Sequence, residues 1–195
     1  PDPLVVDSVA INNIGCFGGN NGSIDISVSG GTPFYSYLWS DGSSSEDISL
    51  LSAGLYSVVV NDSNGCSSIS NTYTITEPAQ IQNIAVITSV SCVGSQDGSI
   101  DISVSGGTPL YSYLWSNGDT TEDITGLASG TYTIEITDNN GCSIIDSIFI
   151  MQPSILSASL ISSNGGLSGI AVGGTLPYTY DFYGPFGLVA STSNN

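Results

Sequence analysis

Isoleucine and valine alternate with aspartate and serine along Ile24-Asp25-Ile26-Ser27-Val28-Ser29. This is the period-two pattern of a strand with one buried and one solvated face. Tyr56, Val58 and Val60 keep the same period, as do Tyr132, Ile134 and Ile136 around Thr133 and Glu135. Between such runs stand Ser40-Asp41-Gly42, Ser63-Asn64-Gly65, Ser116-Asn117-Gly118 and Asn139-Asn140-Gly141, reverse-turn chemistry in residues that tolerate positive φ. No segment carries the period of an amphipathic helix. The pattern predicts strands over roughly 4–12, 23–29, 34–40, 46–51, 55–61 and 67–76, six or seven per module, at the spacing of a β-sandwich.

The pattern also recurs. Gly22 to Pro33 returns letter for letter at Gly98 to Pro109, and Cys16, Gly30, Trp39, Gly54 and Cys66 reappear 76 positions later as Cys92, Gly106, Trp115, Gly130 and Cys142. A third copy begins: Gly173 to Phe182 aligns without a gap on Gly106 to Trp115, at an offset of 67. Glu77-Pro78 and Gln152-Pro153 close the copies, which sets expected domains at 1–78 and 79–153 with a truncated third repeat at 154–195. Junctions this short predict a stiff string of modules rather than beads on a flexible linker. Internal repetition of this kind decides the class before any single residue does.

Charge narrows the functions open to the chain. Seventeen Asp and Glu stand against no Lys, Arg or His. Without cations the chain has nothing to clamp phosphates or a nucleic-acid backbone, no polybasic patch for anionic lipid, and no His or Lys to act as a base. No stretch approaches the ~20 apolar residues of a membrane span. An enzyme is not expected, since paired carboxylates alone make no convergent site. The chain opens Pro-Asp-Pro and is read as a piece of a longer exported polypeptide. Acidic surface keeps such chains apart and soluble and makes divalent cations the natural ions.

Modules of roughly 75 residues are marginal without help, and disulfides supply it. Four cysteines allow three pairings. Cys16 with Cys66 and Cys92 with Cys142 uses every thiol and gives each complete copy one bond; this is the expected pairing. Cys66 with Cys92 across the junction, and free thiols, are the rivals. Disulfides imply an oxidising compartment.

Two local patterns sharpen the fold. Trp39 lies in an aromatic strand (Phe34-Tyr35-Ser36-Tyr37-Leu38-Trp39), where immunoglobulin-like domains place a core Trp. Ile48-x-x-Leu51-x-x-Gly54-x-Tyr56, repeated at Ile124, Leu127, Gly130 and Tyr132, has the approach of a tyrosine corner. The expected fold is therefore all-β, a tandem array of immunoglobulin-like sandwiches with no helices of note. The ordered series Cys-x-Gly, Asp/Asn-Gly-Ser-Ile, Val-x-Gly-Gly-Thr-Pro-x-Tyr-x-Tyr-x-Trp-Ser-x-Gly, Leu-x-x-Gly-x-Tyr and Asp-x-x-Gly-Cys resembles the SprB-repeat family. These are PKD-like modules of very large surface proteins in gliding and other Bacteroidota. The third copy departs from the series, with no first cysteine, no Asp-Gly-Ser, and Phe182 in place of the Trp.

The resemblance implies export through the outer membrane by type IX secretion and display at the cell surface. The repeats would then be the stalk of a long adhesin or gliding-motility filament. Implied partners are neighbouring repeats of the same longer chain, the outer-membrane secretion and anchoring machinery, and extracellular glycans or surfaces. The alternative is a glycan- or surface-binding module using its aromatics.

Each candidate site has two readings. Tyr35, Tyr37 and Trp39, with Tyr111, Tyr113 and Trp115, share a strand face and serve as core; as a platform they would stack on sugar rings. Glu46-Asp47 with Asp41, and Glu122-Asp123 with Asp119, form solvated acidic edges that discourage sheet-to-sheet pairing. A weak Ca²⁺ site is the second reading for them, though no known calcium motif is matched. No other cofactor is implied. Ser8, Thr120 and Ser147 fall in Asp-Ser/Thr-hydrophobic triplets that resemble the O-glycosylation sequence of Bacteroidota, and a glycan there would shield the surface.

Overall fold

A computed structural model describes residues 2–69, 72–163, 166–184 and 187–194. The predicted strand at 67–76 and the partial copy at 154–195 therefore include positions outside the described residues. All regular structure among the described residues is β. Two compact units are present. One comprises Pro1–Gln82 with Val104–Tyr111 and Thr137–Ile144, the other Asn83–Ser103, Ser112–Ile136 and Ile145–Asn195.

In the first copy, β1 (Val5–Asn12), β2 (Gly22–Ser29) and β4 (Ile48–Leu51) form one antiparallel sheet in the order β1-β2-β4. The second sheet is β3 (Ser36–Trp39), β6 (Val58–Asn61) and β7 (Ser67–Ile69), in the order β3-β6-β7. Ile24, Ile26, Ile48 and Leu51 from the first sheet meet Trp39, Val58 and Val60 from the second in one core, closed by Ile14 and Ile75. The alternation read in Ile24 to Ser29 is thus the inward-outward alternation of a sandwich strand.

The predicted strand at 55–61 divides. Residues Gly54–Tyr56 form β5 and pair with β8 (Tyr73–Ile75), whereas β6 joins β3. The change of partner occurs at Ser57, whose carbonyl accepts from Ser40 N–H at 2.8 Å and whose N–H donates to Ser40 Oγ at 3.2 Å. Composition cannot signal such a switch, because both halves keep the period of a strand.

The second copy repeats the plan with β9 (Gln82–Thr88), β10 (Gly98–Ser105) and β12 (Ile124–Leu127) in one sheet and β11 (Ser112–Trp115), β13 (Gly130–Thr137) and β14 (Ser143–Ile150) in the other. Its buried residues, among them Ile100, Ile102, Trp115, Ile124, Leu127, Ile134 and Ile136, are the counterparts of the first core. Beyond it, β15 (Ser157–Ser163) pairs with β16 (Gly166–Val172), and β17 (Tyr178–Gly184) with β18 (Gly187–Asn194), as two antiparallel hairpins.

The tyrosine corners are present. Tyr56 Oη donates to the Ser52 carbonyl at 3.0 Å and Tyr132 Oη to the Ala128 carbonyl at 3.2 Å. A bulge separates the copies more sharply. Gly22 pairs with Leu51 and Ser23 with Ser49, so Leu50 is left unpaired at φ 59°; in the second copy Gly126 occupies that place at φ 71°. A left-handed conformation strains leucine and suits glycine. Leu50→Gly is expected to stabilise the first copy by about 1 kcal/mol, read as a rise in its urea midpoint.

Candidate functional site

The chemistry-bearing residues gather where one copy hands over to the next, and two loops build the place. The first is Gly15-Cys16-Phe17-Gly18, after β1. Its Gly18 N–H donates to Glu77 Oε2 at 2.6 Å and its Gly15 N–H to Asn21 Oδ1 at 3.3 Å. The second is the Asp138-Asn139-Asn140-Gly141-Cys142 hairpin. Asp138 Oδ1 accepts from the N–H groups of Asn140 and Cys142, both at 2.9 Å, and Asp138 Oδ2 from Thr108 N–H at 2.8 Å. One carboxylate thereby fixes the hairpin and ties it to the Gly106-Gly107-Thr108-Pro109 loop. Asp62 does the same in the first copy for Asn64, Cys66 and Thr32.

Chain connectivity brings the two loops together. Glu77 lies against Gly18, and Ala79, two residues on, accepts from Gly107 N–H at 2.7 Å. Gly106 stands at φ 78°, and the Gln80 carbonyl occupies the space where a Cβ would stand, so the position admits only glycine. Asn140 Nδ2 then donates to the Gly15 carbonyl at 3.0 Å, and Cys16 is bonded to Cys142 with Cα atoms 5.6 Å apart. A cavity of about 300 Å³ beside the bond is lined by Cys16, Phe17, Gln80, Ile81, Gly107 and Cys142, among others.

This corrects the expected pairing. Cys16 is not bonded to Cys66, nor Cys92 to Cys142; Cys66 and Cys92 are exposed free thiols, and they are not bonded to each other. The reason lies in strand length. Cys16 precedes the start of β2, while the Cys66 turn is held by Asp62 to Thr32, just past its end. Eight strand residues separate the two by roughly 20–25 Å, several times the Cα separation a disulfide spans. The second copy repeats the arrangement along β10. Parity and repetition suggested one bond per module, but the geometry puts a single bond at the junction of the first two copies and leaves Cys66 and Cys92 free.

Asp62 is held below the ordinary carboxylate range, chiefly by the Thr32 and Cys66 N–H donors. For Asp138 burial works against the charge and is outweighed by donors from Thr108, Cys142, Asn140 and Gly141, leaving its carboxyl lowered as well. A depressed folded pKa contributes stability that is complete above the unfolded value and is lost as pH falls through the folded one. Relative to the parent, Asp138→Asn is therefore expected to melt lower at pH 7, with the gap closing below about pH 4. Thermal melts of both proteins from pH 7 to pH 2 read this directly. The comparison cancels the relief of self-repulsion that acid brings to both.

The aromatic residues divide. Trp39 and Trp115 are each only 2% exposed, and their indole N–H groups donate to the Ser45 and Thr121 carbonyls, both at 2.9 Å. Tyr35 and Tyr111 are half-buried and donate to the Gly30 and Gly106 carbonyls at 2.7 and 2.6 Å, bracing the Gly-Gly-Thr-Pro loop. Tyr178 does this with Gly173 in the third copy. Tyr37 and Tyr113 are half-buried too. Burial, and then a hydrogen bond to Glu46, push the Tyr37 hydroxyl up to about 12. Sequence reasoning missed the neighbours: Phe34 is 89% exposed and Leu110 79%, at φ 74° and 84°. The only available signal was that each follows the proline of a Gly-Gly-Thr-Pro loop.

Of the carboxylates proposed for calcium, the four aspartates are engaged in backbone and side-chain contacts. Asp47 and Asp123 accept from the N–H groups of Ile26 and Ile102 at 2.9 Å, Asp41 accepts from Ser43, and Asp119 accepts from Asn117 Nδ2. Among the described residues no three His, Cys, Asp or Glu gather to hold a metal ion. Ser8, Thr120 and Ser147 are all exposed.

Comparison with known proteins gives one family. The SprB repeat model matches residues 8–44 and 84–120, the same part of each complete copy. No curated protein matches the chain. Among solved structures, a 282-residue C-terminal fragment of intimin in complex with the intimin-binding domain of its translocated receptor is 12% identical, at a TM-score of 0.39, over 79% of this chain and 66% of that one. The N-terminal eight immunoglobulin domains of Down syndrome cell adhesion molecule are 15% identical at 0.40, over 75% and 24%. Extracellular domains 3–5 of Drosophila OTK are 13% identical at 0.29, over 97% and 82%. The chain thus spans about two thirds of the intimin fragment and a quarter of the adhesion-molecule fragment.

Proposed function

We propose, from the premise that the chain carries two SprB repeats, at residues 8–44 and 84–120, that it is stalk: modules at 1–78 and 79–153, with a partial third at 154–195, that hold a binding region of a long surface adhesin or gliding filament away from the cell. The observation that carries this is the use made of the distinctive residues. The repeated Trp, Tyr, Gly and Asp positions serve the cores, the loops and the junction, and the cysteine pair joins one repeat to the next. Modules that contact chiefly their neighbours form quasi-one-dimensional arrays, and such arrays supply length and transmit tension.

Export by type IX secretion, anchoring at the outer membrane and O-glycosylation at Ser8, Thr120 and Ser147 belong to the same proposal. All three residues are exposed, which is compatible with modification there. The exposed Phe34 and Leu110 favour a second reading, a glycan- or surface-binding module, because apolar groups held outside the core are the kind that ligands cover.

Serum raised against the chain, applied to intact cells, tests the stalk directly. Labelling on extended surface fibres, with adhesion or movement blocked, is expected; labelling only after permeabilisation would refute it. Tryptophan fluorescence separates the two readings. The stalk requires a blue-shifted maximum that soluble quenchers barely reach and that added glycans leave unchanged. A glycan-dependent shift, or binding lost on Phe34→Ser, would favour the binding module.

A further inference from the structure

Cys66 and Cys92 are exposed and unpaired, and each is the counterpart, 76 positions away, of a cysteine that is bonded. Cys92 stands where Cys16 stands, at the start of a Cys-x-Gly loop whose glycine is left-handed: Gly18 at φ 69° and Gly94 at φ 82°. Cys66 stands where Cys142 stands. The two hairpins are built alike, Asp62 bonding to Thr32, Asn64 and Cys66 as Asp138 does to Thr108, Asn140 and Cys142. Asn64 Nδ2 bonds to Thr32 Oγ1 at 2.8 Å as Asn140 Nδ2 does to Thr108 Oγ1 at 2.9 Å. Asn140 also donates to the carbonyl of the residue before Cys16, whereas Asn64 has its corresponding reach free among the described contacts.

The surroundings of Cys92 are prepared in the same way. Gly174 N–H donates to the Ser154 carbonyl at 2.7 Å, as Gly107 N–H does to that of Ala79. Thr175 Oγ1 donates to the carbonyl of Ser91, the residue before Cys92, at 3.3 Å. A cavity of about 420 Å³ opens there, lined by Cys92, Ile155, Leu156, Gly174 and Thr175 among others. It is the equivalent of the space beside the Cys16–Cys142 bond.

We propose that Cys66 and Cys92 are the two open halves of the same junction bond. In this scheme an array of these repeats is joined at each hand-over by one disulfide, from the Cys-x-Gly loop of a repeat to the Asp-x-x-Gly-Cys hairpin of the repeat that follows. The partner of Cys66 is the loop cysteine of a preceding repeat of this kind, and the partner of Cys92 is the hairpin cysteine of a following one. Each bond forms by thiol–disulfide exchange. A thiolate attacks an oxidant disulfide, releasing one oxidant thiolate and leaving a mixed disulfide. The second protein thiolate then attacks the protein sulfur of that mixed disulfide and displaces the other oxidant thiolate, so that two protein thiols lose two protons and two electrons and the oxidant is reduced to two thiols. The inference does not rest on the stalk reading, since a peptide map reports the bond whatever the array binds.

The test keeps the full chain. A copy of residues 79–152 is joined directly ahead of Pro1, so that Pro1 takes the place of the proline that closes each copy. The extended protein is refolded in a mixture of reduced and oxidised glutathione, its thiols are counted in denaturant, and its bonds are mapped without reduction. The expected result is two thiols, with Cys66 bonded to the first cysteine of the added copy and Cys16 still bonded to Cys142. Cys66→Ser in the same protein raises the count to three. Four thiols in the extended protein, or Cys66 bonded to any other cysteine, would overturn the proposal.

Discussion

Trp39→Ala is expected to lower the stability of the first repeat by about 3–5 kcal/mol, most of what a module of this size possesses. Trp39 is the largest side chain of its core and shares it with Ile24, Ile26, Val58 and Val60, with Tyr73 packed at a ring-centroid distance of 6.2 Å. Truncation removes the transfer energy of the indole, opens a cavity, and leaves the Ser45 carbonyl without its donor. In a domain of this length the loss corresponds to a fall in melting temperature of roughly 15–30 °C. Phe34→Ser, five residues away on the same aromatic run, is expected to change stability by no more than about 0.5 kcal/mol, because Phe34 projects into solvent. Differential scanning calorimetry of the two variants reads both. Equal losses would mean that the aromatic run packs as one face, contrary to the structure.

The second large effect belongs to the junction. Cys16 and Cys142 close a loop with a sequence separation of 126, and in the chain-entropy model such a loop contributes about 5 kcal/mol. Cys16→Ser combined with Cys142→Ser is expected to lose a large part of that. Cys66→Ser combined with Cys92→Ser should leave the isolated chain within about 0.5 kcal/mol of the parent, since both thiols are free and exposed. Urea unfolding of the two double variants under non-reducing conditions makes the comparison. Were the pairing within modules, both double variants would be destabilised alike.

Much of this was legible in the sequence. Ile24 to Ser29 announced its strand by alternation, and repetition at 76 announced the modules. Gly54 with Tyr56 announced a corner that the Ser52 carbonyl completes. Trp39 was legible because a strand that places two tyrosines and a tryptophan on one face has to bury most of that area. What the sequence withheld was long-range. Pairing arithmetic counts thiols and says nothing of which end of a strand each one occupies, so the eight residues of β2 between Cys16 and Cys66 were not weighed as a distance. Asp62 and Asp138 enter the sequence only as the first position of Asp-x-x-Gly-Cys; their reach to Thr32 and Thr108 depends on loops about 30 positions away in sequence. Phe34 and Leu110 look like strand residues until the proline loop before them turns the backbone left-handed.

Pulling a single chain by its two ends, before and after reduction, tests the central claim that tension along the repeats crosses the Cys16–Cys142 bond. Under oxidising conditions the residues between the two cysteines are shielded and add nothing to the extended length. Reduction is predicted to release them in full: a separation of 126, at the ~3.3–3.6 Å each that an extended chain spans, gives about 420–450 Å of new contour length. Two separate gains of roughly 170–180 Å, one for each 50-residue span that pairing within modules would enclose, would contradict the account, as would no gain at all.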